Sequence, residues 1–334
     1  MTRFAWLLGA IVVLLIFLFY TNMQKKEVER RHEEPLAPFL EAAQIENCNY
    51  IVIAQGEERK VELVRADGKW RVQMPEALFP ASPDDVKDFI EYFDGLRPES
   101  VVDRSEETFS DYGVDEEHAV AVKFFRQRED ETPVLHLLMG NRGSDYRSVF
   151  TRKAGDNTTY LLGENQSTLW EQEADLWRDK YPLRESRDDF NAITVRSPAG
   201  AFTVVKGDEG FWEFTDDKVN KVNQELTVSL ISRLTGLVGL SLRDEDHPEF
   251  KLNQPEFEFE LGIGERVVTL AVSAEVEDKR YLRNSELNQI YALSAPAFEG
   301  ILTERKEYIQ PEEEAEEAGE NANKTEDSAG STAE

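Results

Sequence analysis

One arrangement of apolar and polar positions occurs twice along this chain. In its first copy, three short runs rich in β-branched and aromatic residues, at 50–53, 61–64 and 70–74, predict β-strands. Ser82 and the proline after it then predict the start of a helix, because a hydroxyl N-cap followed by proline favours one. Further strand-like runs follow, and a short helix near residues 167–176 closes this copy.

The second copy has the same elements in the same order. Two strand-like runs precede Trp212, a helical pattern covers about 222–237, and four strand-like runs and a short helix near 298–302 follow. Trp70 and Trp212 lie 142 positions apart, and the Gly-Leu pairs that end the two helical patterns lie 141 apart. A long internal repeat of this kind predicts two tandem structural units.

Short antiparallel connections dominate both copies, so the sequence predicts an α+β fold. The expected architecture is two tandem repeats of an antiparallel sheet unit with a helix each, preceded by one transmembrane helix. The predicted segments are a transmembrane anchor at 1–24, a charged stalk or linker at 25–46, a first unit at 47–185, a second unit at 186–308 and an acidic disordered tail at 309–334.

The anchor is predicted from residues 4–20, which form a run of 17 residues without a charge. Such a run is just long enough to span, since about 17–25 residues cross a bilayer core. Trp6 and Tyr20 stand near its ends, where interfacial aromatic residues are common. Because no small-residue cleavage site follows it, we expect an uncleaved, single-pass anchor.

The orientation of this anchor has two interpretations. Only Arg3 and the α-amino group precede the span, whereas Lys25, Lys26, Arg30 and Arg31 follow it, so the positive-inside rule alone predicts a cytoplasmic domain. The rule weakens when a long domain follows the span, because such domains translocate largely regardless of charge. The charge pattern and the length of the following domain therefore favour opposite orientations, and both interpretations stand at this point.

Composition narrows the possible chemistry. The net charge of −29, of which the tail contributes nine acids and one lysine, disfavours nucleic-acid binding because it repels phosphate backbones. A single cysteine allows neither an internal disulfide nor a cysteine-rich zinc site. The four histidines show no helical i, i+4 pair, and the chain has no P-loop, Gly-x-Ser-x-Gly or triad signature. We therefore predict no catalytic, cofactor-binding or metal-binding residues and a protein that is not an enzyme.

Several residues are predicted to have structural roles instead: Trp70, Gly95, Trp177, Arg178, Asp179, Trp212 and Gly236. The repeated tryptophans at the two equivalent strands are interpreted as core anchors, with a ligand-stacking platform as the alternative. The two glycines are interpreted as C-terminal turns of the two helices. The Arg-Asp pair is predicted to tie the end of the first unit to the second.

Five motifs together resemble the bacterial domain of unknown function 4340 family. They are the strand at Trp70, the helix from Pro83 to Gly95-Leu96, the turn Tyr112-Gly113-Val114, the strand Phe150-Thr151-Arg152 and the closing run Trp177-Arg178-Asp179-Lys180. The resemblance covers about 47–306, and the second copy departs from it at 303–306, which read Thr-Glu-Arg-Lys. It implies an envelope protein with one N-terminal span, sometimes encoded beside ABC transporters of the gliding-motility type as an auxiliary component, and it carries over no catalytic residue.

The main functional hypothesis is therefore a periplasmic accessory module of an integral membrane complex, such as an ABC transporter. It would be anchored in the inner membrane, with the cytoplasmic orientation as the alternative. Anchor and stalk would raise the effective concentration of the two units near a membrane partner. The alternatives are a protein that binds or scaffolds envelope glycan or peptidoglycan, and an uncharacterised hydrolase.

Overall fold

The structure, a computed structural model, describes residues 36–41, 44–56 and 59–310. The chain forms two compact units that divide between Trp177 and Arg178. Phe39 and Ile45, which the sequence assigned to the linker, are buried in the hydrophobic core of the first unit.

In the described part of the first unit, nine strands form one antiparallel sheet in the order β4-β3-β2-β1-β6-β7-β8-β9-β5. The strands are β1 Tyr50–Gln55, β2 Arg59–Ala66, β3 Lys69–Gln73, β4 Leu78–Pro80, β5 Ser100–Asp103, β6 Val120–Phe125, β7 Leu135–Arg142, β8 Val149–Lys153 and β9 Thr159–Leu162. The helices are α1 Pro83–Phe93, α2 Phe109–Tyr112 and α3 Thr168–Glu171, with 3-10 turns at Ile45–Asn47, Glu106–Thr108 and Ala174–Trp177.

In the described part of the second unit, eight strands form one antiparallel sheet in the order β12-β11-β10-β14-β15-β16-β17-β13. The strands are β10 Phe190–Ser197, β11 Gly200–Lys206, β12 Trp212–Phe214, β13 Ser241–Arg243, β14 Phe257–Ile263, β15 Arg266–Val272, β16 Lys279–Asn284 and β17 Ile290–Ser294. Its helix is α4 Gln224–Thr235, with 3-10 turns at Arg187–Asp189, Pro248–Phe250, Ala295–Phe298 and Arg305–Tyr308.

The two sheets have the same topology, strand for strand, which confirms the predicted repeat and the α+β class. The first sheet has one extra edge strand, β4, which pairs with β3. In the second unit the Gln224 side chain binds the corresponding backbone edge: its Oε1 accepts from the Trp212 N–H and its Nε2 donates to the Trp212 carbonyl, both at 2.8 Å. A side-chain amide therefore replaces part of a missing strand.

Helices α1 and α4 both begin with side-chain caps, of which the sequence predicts the one at Ser82. Ser82 Oγ accepts from the Asp85 N–H at 3.3 Å, and Asn223 Oδ1 accepts from the Leu226 N–H at 3.0 Å. Each helix buries one face on its sheet, and the buried positions are Val86, Phe89 and Phe93 in α1 and Thr227, Leu230, Ile231 and Leu234 in α4. Local capping thus places the apolar stripe of each helix over the core.

The last turn of the second unit corrects the predicted alignment of the repeats. The N–H of Ser82 donates to the Trp177 carbonyl at 2.8 Å, and the N–H of Asn223 donates to the Tyr308 carbonyl at 2.7 Å. Tyr308 is therefore the counterpart of Trp177, and the run at 303–306 is not the counterpart of the closing motif. The last turns of the two units share an aromatic residue whose carbonyl binds the helix N-cap, and they do not share the charged residues that follow Trp177.

A crossover segment passes over each sheet on the face opposite the helix. β5 lies at the sheet edge beside β9, whereas β6 lies beside β1, so residues 104–119 must cross β9, β8 and β7. The corresponding crossover segment of the second unit, residues 244–256, connects β13 to β14. Each sheet is thus covered on one face by a helix and on the other by a crossover segment.

Some predicted elements differ in extent from the structure. The short helix predicted near 167–176 is one helical turn, α3, followed by a 3-10 turn, and the helix predicted near 298–302 is a 3-10 turn at Ala295–Phe298. The predicted anchor at 1–24 and most of the predicted tail lie outside the described residues. No helix among the residues that are described combines the length and apolar character needed to cross a membrane.

Candidate functional site

The three predicted aromatic residues lie in or against the two cores. Trp177 is fully buried, with its ring 5.3 Å from that of Phe89 in an edge-to-face contact. Trp212 is 5% exposed, and Trp70 is partly buried against the first core. Trp212 also lines a cavity described below, so the structure places it where both of the predicted roles could operate.

The two predicted helix-terminal glycines have different backbone conformations. Gly95 follows α1 with φ of +68°, a left-handed conformation that disfavours residues with a Cβ. Gly236 caps α4 with φ of −90°, and its N–H donates to the Ser232 carbonyl at 3.1 Å. Only the first position therefore uses the conformational freedom of glycine.

Arg178 and Asp179 are the centre of a buried polar network in the second unit. The Arg178 side chain is 2% exposed, donates to Gln289 Oε1 at 3.1 and 3.0 Å, and pairs with Asp244 at 2.5 Å. Asp179 pairs with Arg184 at 2.7 Å, and its carbonyl accepts from Gln289 Nε2 at 2.8 Å. These contacts fix the first residues of the second unit against its own sheet.

Two further arginines occupy equivalent positions in the two sheets; in the sequence, Arg152 is named only as part of a family motif, and a role is predicted for neither. Arg152 of β8 donates through Nε to the Val114 carbonyl at 3.0 Å, and Arg283 of β16 donates to the Leu252 carbonyl at 3.4 Å. Both acceptors lie in the crossover segments. The repeated pattern aromatic-x-Arg, in Phe150-Thr151-Arg152 and its counterpart at 281–283, is the sequence signal for this role.

One group of possible metal ligands is found among the described residues, at the end of the first crossover segment. Potential ligand atoms of Asp115, Glu117 and His118 lie within 4.8 Å of one another. Asp115 Oδ1 already accepts from the His118 ring at 2.8 Å and from the N–H groups of Glu117 and His118 at 3.0 and 3.1 Å. The hydrogen bond that the His118 ring donates to Asp115, together with the negative charge of that carboxylate, raises the pKa of His118. The cluster therefore stabilises the turn into β6.

His136 is a half-buried histidine in β7 whose Nε2 atom has no hydrogen-bond partner. Burial, followed by the positive charge of Lys123, lowers the pKa of His136 in the folded protein. The unfolded chain consequently binds the proton more readily, with an ordinary histidine pKa of about 6.5. Stability is therefore expected to fall as pH drops through this value, because protonation favours the unfolded chain.

This pH dependence is tested with His136→Gln, by comparing urea midpoints of variant and wild type at pH 7.5 and 5.5. The variant should lose less stability than the wild type over this interval. His118→Gln is a control with an effect of opposite sign. Since the pKa of His118 is raised, its stabilising contribution is present below the unfolded pKa and lost as pH rises. This variant should therefore lose more stability than the wild type between pH 7.5 and 5.5. Equal pH slopes for wild type and His136→Gln would contradict the assignment.

A cavity of about 320 Å³ lies beside Trp212 in the second unit. Its apolar wall is formed by Trp212, Val228 and Ile231, of which Val228 is 43% exposed. Arg187 and Lys206 bring positive charge to the lining. The remaining lining residues are Ser186, Asp188, Gly210 and Gln224. Aromatic, aliphatic and charged groups thus meet in one space of small-ligand size, since ligand pockets have about 300–1,000 Å³.

The chain matches a family model whose description is domain of unknown function (DUF4340), over residues 70–243. The matched range includes the strand at Trp70, the whole of α1, helix α4, and Arg152 with its hydrogen bond to the Val114 carbonyl. Neither a curated protein nor a solved structure matches the chain. With more than half of its residues matched by that model, the chain belongs to the DUF4340 family.

Proposed function

We propose that this protein is a non-enzymatic, membrane-anchored accessory module of an integral membrane complex, with an ABC transporter as the expected class of partner. Its two units would face the periplasm on a stalk that begins at a single N-terminal span. The charge-free run at 4–20 supports the anchor, and the confinement it provides raises the effective concentration for a membrane partner.

The observation that carries the proposal is how the repeated unit uses arginine side chains to hold its own backbone and neighbouring side chains. Arg152 and Arg283, at equivalent positions, bind main-chain carbonyls of the crossover segments, and Arg178 binds a glutamine and an aspartate within its own unit. Hydrogen bonds donated by a guanidinium group are stronger than neutral ones, so those of Arg152 and Arg283 hold the crossover segments on their sheets. A duplicated unit stabilised in this manner supports a function in presenting surfaces to a partner.

Cross-linking followed by mild-detergent purification of the tagged full-length protein from its own host tests the proposal. Transporter permease or ATPase subunits should co-purify with the wild type. A matched variant in which residues 1–24 are exchanged for an unrelated single-span anchor locates the contact. Loss of the subunits would place the contact in the span, whereas their retention would place it in the repeated units.

The alternative, a protein that binds or scaffolds envelope glycan, predicts a different result in the same experiment. Envelope polymer would then be recovered with either anchor, and transporter subunits would be missing. Such recovery would overturn the accessory proposal.

A further inference from the structure

The two units differ at a position beside the Trp212 cavity. The 3-10 turn before β1 begins at Ile45, and the turn before β10 begins at Arg187, which is 142 positions later, the spacing of the two tryptophans. Ile45 is fully buried, in the cluster against which Trp70 and Ile90 pack. Arg187 is exposed. At this position the first unit therefore has a buried isoleucine, whereas the second unit has an exposed arginine.

We attribute the cavity of the second unit to this exchange. A guanidinium cannot enter an apolar space without losing hydration, and Arg187 instead donates to Ser232 Oγ at 3.3 Å. The apolar wall beneath it stays open to a ligand. At the α-helix position where the first unit has the exposed Lys87, the second has Val228, which extends this apolar wall. An aliphatic group in the cavity would restore the type of contact that Ile45 makes in the first unit.

The charged residues of the lining indicate which polar groups a ligand with that aliphatic group should carry. Among the described residues, neither Arg187 nor Lys206 forms an ion pair, so both can bind an anion. Guanidinium groups bind carboxylates with two parallel hydrogen bonds. Gln224 contributes no free amide, because its side chain is bound to the backbone of Trp212. Asp188, on the same lining, supplies one carboxylate for an ammonium group.

We propose that this cavity binds an aliphatic α-amino acid through its side chain and its carboxylate, either free or as the C-terminal residue of a peptide. The side chain lies on Trp212, Val228 and Ile231, and the carboxylate lies between Arg187 and Lys206. This site is independent of the accessory role proposed above, because it requires neither the anchor nor a membrane complex.

Three small probes separate the parts of this recognition, with binding to the full-length protein in detergent followed by ligand-detected NMR. Leucine carries both charges, acetyl-leucine lacks the ammonium, and leucinamide lacks the carboxylate. Leucine and acetyl-leucine should bind, and leucinamide should bind at least about tenfold more weakly, since it loses a charge-assisted contact. Tighter binding of leucine would indicate the free amino acid as ligand, and tighter binding of acetyl-leucine would indicate a peptide C-terminus.

The deciding variant is Arg187→Ile, which gives the second unit the residue of the first. It should weaken acetyl-leucine binding at least about tenfold and raise the thermal midpoint by roughly 2–4 °C, because it adds apolar burial. Val228→Lys should also abolish binding while leaving Arg187 in place. Arg147→Ile, on the exposed surface of the first unit, is the matched control and should change neither quantity.

Three results would overturn the proposal. The first is failure of both carboxylate probes to bind the wild type, and the second is equal binding of leucinamide and acetyl-leucine. The third is undiminished binding by Arg187→Ile and Val228→Lys. None of these results would affect co-purification with a membrane complex, so the two proposals fail separately.

Discussion

Replacing Arg152 with alanine is expected to reduce the free energy of unfolding of the first unit by about 2–4 kcal/mol, because two main-chain carbonyls lose a charged donor. The side chain is 7% exposed and donates to the carbonyls of Val114 and Asp156 at 3.0 and 3.2 Å. It also lies over the Phe109 ring at 4.2 Å. Truncation leaves carbonyl groups without a donor and removes the attachment of the crossover segment to β8.

Arg283→Ala is the matched control, because the second unit places this residue at the same position of its sheet. The Arg283 side chain is 43% exposed, pairs with Asp246 at 3.0 Å, and reaches the Leu252 carbonyl at 3.4 Å. An exposed pair of this kind contributes about 0–1 kcal/mol, so the loss should be correspondingly small. The two variants thus remove the same type of residue from the same position of the same topology, and they differ in how deeply that side chain is buried.

Urea unfolding combined with hydrogen exchange measures both variants in the full-length protein. Exchange of the β8 and β16 amides assigns each loss to its own unit, since the two strands belong to different sheets. Equal losses for the two variants would contradict the argument that burial sets the effect. Arg152→Lys should recover only part of the stability, because an ammonium cannot reproduce the guanidinium contacts.

The repeat and most of its strands could be predicted because core positions keep a regular spacing. Trp70 and Trp212, the serine- or asparagine-capped helices and the alternating strands all carry local signals of pattern or capping. Elements of three or four residues, such as β4, β5 and β13, have no such signal. They become strands by pairing with distant partners, which a single sequence does not encode locally.

The functional features were harder to predict because they depend on which residues meet across the fold. Arg152 contacts a carbonyl 38 residues away, and Arg178 contacts Gln289, 111 residues away. The exchange of Ile45 for Arg187 becomes evident only when the structure shows that the two residues occupy equivalent positions. The sequence did contain both residues at the repeat spacing, so a comparison of the copies position by position could have found the exchange. Its consequence, an open cavity, required the packed structure.

The position of the first crossover segment also depends on a glycine in β7. A Cβ added to Gly140 would lie 2.4 Å from the Tyr112 carbonyl oxygen and 2.7 Å from Val114 Cγ1. The first of these atoms is backbone, so the clash cannot be relieved by rotating a side chain. The second unit has Ser273 at the equivalent position, where the side-chain Oγ accepts from the Tyr281 N–H at 2.9 Å. Close approach of the crossover segment is therefore a particular feature of the first unit.

Gly140→Ala is expected to destabilise the first unit by about 3 kcal/mol, at the upper end of the usual cost of overpacking. Gly207→Ala is the matched control, because its Cβ would meet the flexible Glu213 Oε1 at 3.0 Å, and its effect should stay within about 1 kcal/mol. Urea midpoints of the two full-length variants measure the difference. An unchanged midpoint for Gly140→Ala would mean that residues 104–119 do not lie directly on β7.

Combining Gly140→Ala with Arg152→Ala tests whether both residues act on the same crossover segment. If Gly140→Ala lifts the segment from the sheet, the hydrogen bond from Arg152 to Val114 is already weakened in the single variant. The double variant should then lose less stability than the two single losses added together, with a coupling energy of about 0.5–3 kcal/mol. Strict additivity would instead mean that the glycine and the arginine stabilise the first unit independently, because neither would depend on the position of the segment.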